Sequence, residues 1–187
     1  MPQPLDKNVA IQPLGELELD ALFAYLNDHR ADNGSTETGY FQPRPRRASS
    51  LLPEKQQAFR DGLNLPVGKP GWRRAWLARA ADATIAGHVD LWAHPEPFTE
   101  HRCLLGMGVQ RRFRRRGLGA ALLDYALSWA RSMASLEWVD LHVLATNETA
   151  IRLYLRTGFV KTGEVPDMFR FDGLTLTDIT MTKRILR

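Results

Sequence analysis

The chain has 187 residues, near the ~150 of a typical single domain, so residues 1–187 are read as one domain. A composition of 44% hydrophobic, 25% charged and 9% aromatic residues excludes a disordered tail, a collagen and a coiled coil. Lys and Arg number 25 against 21 Asp and Glu, and the net charge of +4 is too small to mark a nucleic-acid binder, though it suffices to steer an anion to one patch.

Residues 8–13, NVAIQP, read as a first strand. Residues 16–30 follow as a helix, with Leu19, Leu22, Phe23 and Leu26 on one face and the Asn33-Gly34 pair as a stop. The polar, Gly- and Pro-containing run 31–50 reads as a long loop, the kind that is usually functional. A second helix is expected over 51–64, with Ser50 as its cap and Pro53 in its first turn. Strands are expected at Trp72–Ala80, Thr84–Ala93 and Arg102–Val109, the last running into the basic stretch QRRFRRRGLG. Residues 118–134 make the clearest helix, with Leu118, Leu122, Tyr125, Ala126, Trp129 and Met133 as its apolar stripe. Trp138–Leu144 reads as a strand and 148–157 as a short helix ending at Gly158. The chain closes with an antiparallel pair, Phe159–Phe171 and Leu174–Ile185, around Asp172-Gly173. In the last strand Leu174 and Leu176 fall out of phase with Ile179 and Met181, which predicts a bulge or a late start. An early meander followed by βαβ units predicts a mixed α/β sheet with helices on both faces.

Cys103 is the single cysteine, which excludes an intramolecular disulfide framework and a cysteine-based zinc site, and no metal site is expected. No apolar run reaches the ~18 residues of a membrane helix. The amino-terminal MPQPLDKNVAIQPL lacks a basic region leading into an apolar one, so no membrane association and a cytoplasmic location are expected.

The chemistry concentrates at a strand–turn–helix junction, Arg114-Arg115-Arg116-Gly117-Leu118-Gly119. Glycines there allow a tight turn and close approach of a ligand, while the amides of the turn and the start of the helix form an anion site. The third glycine of a dinucleotide fingerprint is absent, since position 122 is Leu, and so is the Gly-Lys-Ser/Thr of a Walker loop. The next strand leads into Asn147-x-x-Ala150-x-x-Leu153-Tyr154-x-x-x-Gly158-Phe159. These two motifs, in this order and spacing, resemble the acetyl-CoA-binding core of the GNAT superfamily of N-acetyltransferases. Over 138–160 the resemblance is greatest to the ribosomal-protein-alanine acetyltransferase type.

The resemblance implies a GNAT fold: a mostly antiparallel sheet with one splayed parallel strand pair. It implies acetyl-CoA as co-substrate and an amine-bearing acceptor, a small molecule or a peptide amino terminus, that attacks the thioester directly in a ternary complex. By position, the freed backbone of Met107, Gly108 and Val109 would hold the pantetheine arm. The amides of Arg115, Arg116, Gly117, Leu118, Gly119 and Ala120 would cradle the pyrophosphate, with Arg111, Arg112 and Arg114 to Arg116 neutralising charge. Asn147 caps its helix and, in the family reading, also touches the coenzyme. Tyr154 stands where the family places a general acid. The glutamate base of the ribosomal-protein type is replaced here by His142; histidine as a residue type titrates near working pH. This departure weakens the parallel in acceptor. His88, Asp90, Glu100 and His101 are alternative bases acting through water. Tyr40 and Phe41, in the long loop, are candidates for acceptor contact. Cys103 as a nucleophile has no supporting motif and reads as a buried strand thiol, and the five tryptophans read mainly as core. Dimers are common among relatives. Two other functions fit parts of the pattern: an acyl-CoA-binding protein of this fold that senses acyl-CoA or transfers another acyl group, and a nucleic-acid module built on residues 111–116. The second requires a basic face, whereas these arginines abut a glycine turn.

Overall fold

The computed structural model describes residues 9–48 and 50–185. Seven strands form one sheet in the order β1-β2-β3-β4-β5-β7-β6. They are β1 (Val9–Pro13), β2 (Arg73–Ala80), β3 (Ile85–Ala93), β4 (Arg102–Val109), β5 (Trp138–Leu144), β6 (Val160–Phe171) and β7 (Leu174–Arg184). Four helices accompany them: α1 (Leu19–Ala31), α2 (Pro53–Asn64), α3 (Leu118–Ser132) and α4 (Glu148–Arg156). Asn8 of the expected first strand lies outside the described residues. No helix among the described residues is long and apolar enough to cross a membrane.

Every neighbouring pair is antiparallel except β4 and β5, which run parallel. That pair holds register only over Arg102↔Trp138, Cys103↔Val139 and Leu104↔Asp140. Beyond it each strand stays with its outer neighbour. β4 pairs with β3 as far as Val109, and β5 pairs with β7 as far as Leu144. The sheet is therefore open between the second halves of β4 and β5. At the closed end Arg102 grips Asp140 bidentately, Nε donating to Oδ2 at 2.7 Å and Nη2 to Oδ1 at 2.6 Å, and Nη2 also donates to Thr182 Oγ1 at 3.1 Å. This charge-assisted clasp ties β4, β5 and β7 together just before the strands part.

Side-chain alternation divides the core between two faces. On one, Leu118, Leu122, Leu123, Ala126, Leu127 and Ala130 of α3 pack with Val89, Leu91, Cys103, Leu105, Val139, Leu141, Val143, Ile179 and Met181. On the other, Leu19, Leu22, Phe23 and Leu26 of α1 and Phe59 of α2 pack on Ala75 and Leu77. The buried stripe of α3 is rotated from the expected one: Leu123 and Leu127 are buried, whereas Tyr125 is 37% exposed. Trp72 and Trp76 are core, while Trp92, Trp129 and Trp138 are only partly covered.

Two expected boundaries shift. A 3-10 turn, Glu16–Glu18, precedes α1, and its Glu18 carboxylate accepts the Gly15 amide at 2.9 Å. Ser50 does not cap α2: Leu52 is the N-cap without a side-chain bond, and Pro53 holds the first position. The phase break in β7 reflects burial on both of its faces, with Leu176 buried on one and Ile179 and Met181 on the other; the extra residues of the bulges lie in β6, at Lys161/Gly163 and at Val165/Phe169, the latter around Asp167 with φ 56°.

Candidate active site

The opening between β4 and β5 is flanked by the two motifs. From Gln110 the chain makes a 3-10 turn, Arg111–Phe113, then enters α3 through a turn in which Arg115 (φ 60°) and Gly117 (φ 77°) take left-handed conformations. Gly117 is the N-cap of α3, and Ala121 is the first amide to return to it, at 3.1 Å. The amides of Leu118, Gly119 and Ala120 are thus first-turn donors with no helical acceptor, at the positive end of a 15-residue helix. This arrangement suits a phosphate. Gly119 lies against the opening: a Cβ there would stand 3.3 Å from Leu153 Cδ2, 3.6 Å from Met107 Cε and 3.8 Å from Val109 Cγ2. The donor set and the space beside it fit a pyrophosphate with an arm running along β4.

Arg114 does not present a free charge. Its Nη2 pairs with Asp32 at 2.7 Å, its Nη1 donates to Thr38 Oγ1 at 3.0 Å and its Nε donates to the Val109 carbonyl at 3.0 Å. Burial alone would raise the Asp32 carboxyl, but the bonds from Thr38 and Arg114 and the charges of Arg114 and Arg111 hold it below the ordinary range. Arg114 therefore fastens the long loop to the end of β4. Arg111 lies 3.3 Å from the exposed Asp28 and 3.8 Å from the buried Asp32, and Arg112 lies 3.4 Å from the exposed Asp82. Such pairs contribute little and leave those arginines available to an anion.

The loop is ordered by Asn33, whose local sequence signals only a helix stop. Its side chain is buried, with Oδ1 accepting the amides of Phe41 and Gln42, each at 2.9 Å. Its Nδ2 donates to the carbonyls of Gln42 (3.2 Å) and Arg44 (3.0 Å). One residue thus fixes the loop's return path. Tyr40 is tethered at its far end. Its hydroxyl donates to Asp172 Oδ2 at 2.7 Å and its ring packs on Phe171 at 5.4 Å, so it ties the loop to the β6–β7 turn. Phe41 does face a cavity of about 350 Å3, shared with Pro43, His142, Val143, Leu144, Met168, Phe169 and Asp178.

His142 lies one alternation beyond Asp140, where the strands have parted. Leu141 and Val143 point into the α3 core while His142 points to the α1–α2 face and is exposed. Its Nδ1 lies 2.7 Å from Oδ2 of the buried Asp178, which fixes the ring, and both residues line the cavity. Tyr154 stands on the other face. It is buried against Phe159 at 5.7 Å, and burial pushes its phenol up to about 12. Asn147 caps α4, its Oδ1 accepting the Ala150 amide at 3.3 Å.

The alternative bases separate cleanly. Glu100 and His101 sit before β4 at the closed end, where the His101 carbonyl accepts the amides of Glu137 and Trp138. They do not reach the opening. His88 and Asp90 lie beneath the glycines of β4: a Cβ on Gly108 would come within 2.7 Å of His88 Cε1, and one on Gly106 within 3.1 Å of Asp90 Oδ1. Burial holds the His88 imidazole down to about 3. Burial pushes the Asp90 carboxyl up to about 6, outweighing the Arg73 guanidinium bound to it at 2.6 Å. Cys103 is fully buried in the paired part of β4, its thiol pushed up by burial, so it has no nucleophilic character.

Residues 40–159 match the acetyltransferase (GNAT) family. The chain is 27% identical over 157 residues to N-acetyltransferase YycN of Bacillus subtilis, covering 84% of this chain and 96% of that protein. The crystal structure of a GNAT-family acetyltransferase from Streptococcus pneumoniae superposes with a TM-score of 0.77 at 23% identity, over 95% of this chain and 99% of that one. A spermidine N-acetyltransferase from Vibrio cholerae, crystallised with CoA and spermine, superposes with a TM-score of 0.72 at 15% identity, over 96% and 97% of the two chains; these two structures share the fold. With an open parallel strand pair, an anion-binding helix start beside it and the family match across both motifs, the chain belongs to the GNAT family of acetyltransferases, and its co-substrate is acetyl-CoA.

Proposed function

We propose that this protein moves the acetyl group of acetyl-CoA to a primary amine by direct attack in a ternary complex. The parting of β4 and β5 after Leu104↔Asp140 is the observation that carries this reading. It leaves the backbone of Met107, Gly108 and Val109 without a β5 partner, in line with the first-turn amides of α3, while the Val109 carbonyl accepts Arg114 Nε and the Gly108 carbonyl accepts the Tyr25 hydroxyl at 3.3 Å. Those backbone groups hold the pantetheine arm. The amides of Leu118, Gly119 and Ala120 receive the pyrophosphate, helped by the turn Arg115-Arg116-Gly117 and by the arginine side chains at 111 and 112. Asn147 borders the same opening from α4. Bound acetyl-CoA supplies a thioester, an acyl group activated toward amines.

The remaining chemistry belongs to the chain. An amine attacks only when neutral, and deprotonating an ordinary lysine-type amine at pH 7 costs roughly 4–5 kcal/mol, an α-amine about 1. His142, oriented by Asp178, takes that proton from the α1–α2 side. A backbone amide near Val109 polarises the carbonyl oxygen. Tyr154 gives its proton to the departing sulfur from the α3–α4 side. Its phenol, at about 12, stays protonated at every working pH. Complete transfer to a thiolate whose thiol titrates near 8.5 is uphill by roughly 5 kcal/mol, so Tyr154 acts first as a hydrogen-bond donor to developing charge. Base and acid flank the opening from opposite faces, matching an amine that enters from one side and a thiol that leaves by the other. Burial of Cys103 favours direct attack over an acetyl-enzyme.

Initial rates over a matrix of acetyl-CoA and amine concentrations test this. Intersecting double-reciprocal lines, and a fall in kcat of roughly 10²–10⁴-fold in His142→Ala, are expected. Parallel lines, or an acetyl adduct on the protein after incubation with acetyl-CoA alone, would overturn direct attack. An unchanged kcat in His142→Ala would remove His142 from the role of base.

A further inference from the structure

The cavity beside His142 is built from four segments that are distant in sequence. Phe41 and Pro43 come from the long loop, His142 and Leu144 from β5, Met168 and Phe169 from β6, and Asp178 from β7. Three features of the fold put them together. Asn33 fixes the return of the loop, its Oδ1 accepting the Phe41 amide at 2.9 Å. The Phe41 ring packs on His29 at 4.9 Å. In β6 the bulge between Val165 and Phe169, with Asp167 at φ 56°, shifts the pairing with β7 and re-aims Met168 and Phe169.

The lining is chemically one-sided. Its walls, Phe41, Pro43, Val143, Leu144, Met168 and Phe169, are apolar. Its polar members are His142 and Asp178, 2.7 Å apart. Among the described residues neither a lysine nor an arginine lines this cavity. The basic residue next to Phe169, Arg170, donates from Nε to Asp167 at 2.6 Å. The Arg114 guanidinium, 5.9 Å from the Phe41 ring, is committed to Asp32.

Such a lining discriminates among amines. An ammonium is drawn to the one acidic side chain and meets His142 beside it. A carboxylate on the same molecule would leave water for apolar walls with no cation to meet it, and would face Asp178. A second ammonium, as in a polyamine, would find no second acid. Apolar surface on the acceptor is instead stabilised by burial. The cavity, about 350 Å3, holds roughly 10–15 non-hydrogen atoms at densities between those of a liquid and a protein interior.

We propose that the acceptor is a primary amine on an aryl or branched-alkyl body with no carboxylate beside the amine. Its apolar part lies between Phe41, Met168 and Phe169, and its nitrogen lies at His142. The inference rests on the acetyl transfer proposed above and names its acceptor class. A free arylalkylamine and the amino terminus of a peptide with an apolar first residue share this chemistry, and the test separates them.

Thiol release from acetyl-CoA gives kcat/KM for phenylethylamine, ethylamine, phenylalanine, phenylalanine amide, a tripeptide beginning with phenylalanine, and spermidine. Calorimetry on the protein loaded with CoA, which has no acetyl group to transfer, gives Kd for the same amines. Phenylethylamine is expected to surpass ethylamine by roughly 10–100-fold, and phenylalanine by about 10-fold or more, in both measurements. Phenylethylamine surpassing the amide and the tripeptide identifies a free amine, and the reverse order identifies an amino terminus. Phe169→Ala should reduce the advantage over ethylamine by about 10-fold. Met168 is 52% exposed, so Met168→Arg adds a cation at the rim without disturbing the core. It should narrow the advantage over phenylalanine by roughly 2–5-fold, the range of an exposed ion pair, and leave the Kd of acetyl-CoA unchanged. Phenylalanine or spermidine performing as well as phenylethylamine would overturn the proposal, as would an unchanged ratio in Met168→Arg. Thiol release without preference among the amines would overturn the class and leave the transferase reading standing. The expected order in binding with no thiol release would support the class and overturn the transferase reading.

Discussion

Asn33→Ala gives a prediction with a defined scale. The Asn33 side chain makes four hydrogen bonds to loop backbone, with the amides of Phe41 and Gln42 and the carbonyls of Gln42 and Arg44. At about 1 kcal/mol net for each, discounted because freed loop groups regain water, the loss is about 2–4 kcal/mol. For a chain of this size that lowers Tm by about 5–15 °C. The same bonds hold Phe41 at the cavity wall, so KM for the acceptor should rise while the Kd of acetyl-CoA, whose site lies on α3 and β4, stays constant. Urea or thermal unfolding supplies the first number, and initial rates with calorimetry supply the others. Asn33→Asp is the control. It keeps both acceptor bonds but faces two carbonyls with an acid, and it should fall between Asn33→Ala and the parent. A variant Asn33→Ala with unchanged Tm and acceptor KM would refute this account of the loop.

Three further outcomes follow from the site. Tyr154→Phe keeps the ring on Phe159 and should hold stability within about 0.5 kcal/mol, while kcat falls by roughly 10²–10⁴; an unchanged kcat removes Tyr154 from proton transfer. Gly119→Ala places a methyl 3.3 Å from Leu153 Cδ2, a tight contact that a small shift of that side chain relieves, so it should fold with stability within about 1 kcal/mol of the parent. That methyl projects beside the proposed pyrophosphate, so the Kd of acetyl-CoA should rise; unaltered affinity would place the coenzyme elsewhere. Asp90 titrates at about 6 folded, against about 3.9 unfolded, so the folded state binds its proton more tightly. Its contribution is present below pH ~4 and lost as pH rises through 6. Asp90→Asn, which cannot ionise, should therefore gain Tm relative to the parent between pH 4 and 7 in thermal scans; a constant or shrinking difference contradicts this.

Much of this architecture is legible before any coordinates, because local signals carry it. The period-2 runs place seven strands, the 3.6-residue stripes place four helices, and the turn at Arg114–Gly119 marks the start of α3. Legibility ends where partners are distant in sequence. Nothing near Tyr40 in the sequence reports that its hydroxyl donates to Asp172, 132 residues away. The run 111–116 reads as five equivalent arginines, yet the fold hydrogen-bonds Asp32 to Arg114 at 2.7 Å and leaves Arg111 3.8 Å from it. Asn33 is an ordinary helix stop in the sequence, and only the returning loop gives its amide four partners. Arg30 is the same kind of case: a basic residue near a helix carboxyl end is the rule, and nothing local reports that its Nε and Nη1 are buried. A buried polar cluster needs burial to be seen, and burial is a property of the whole chain.

Amide hydrogen exchange with and without acetyl-CoA tests the central claim most directly, since it reports where the coenzyme lies. The account predicts slowed exchange in peptides spanning 105–109, 115–120 and 147–154, with no change over β2. Protection absent from these segments, or confined to others, would contradict a coenzyme site in the opening between β4 and β5.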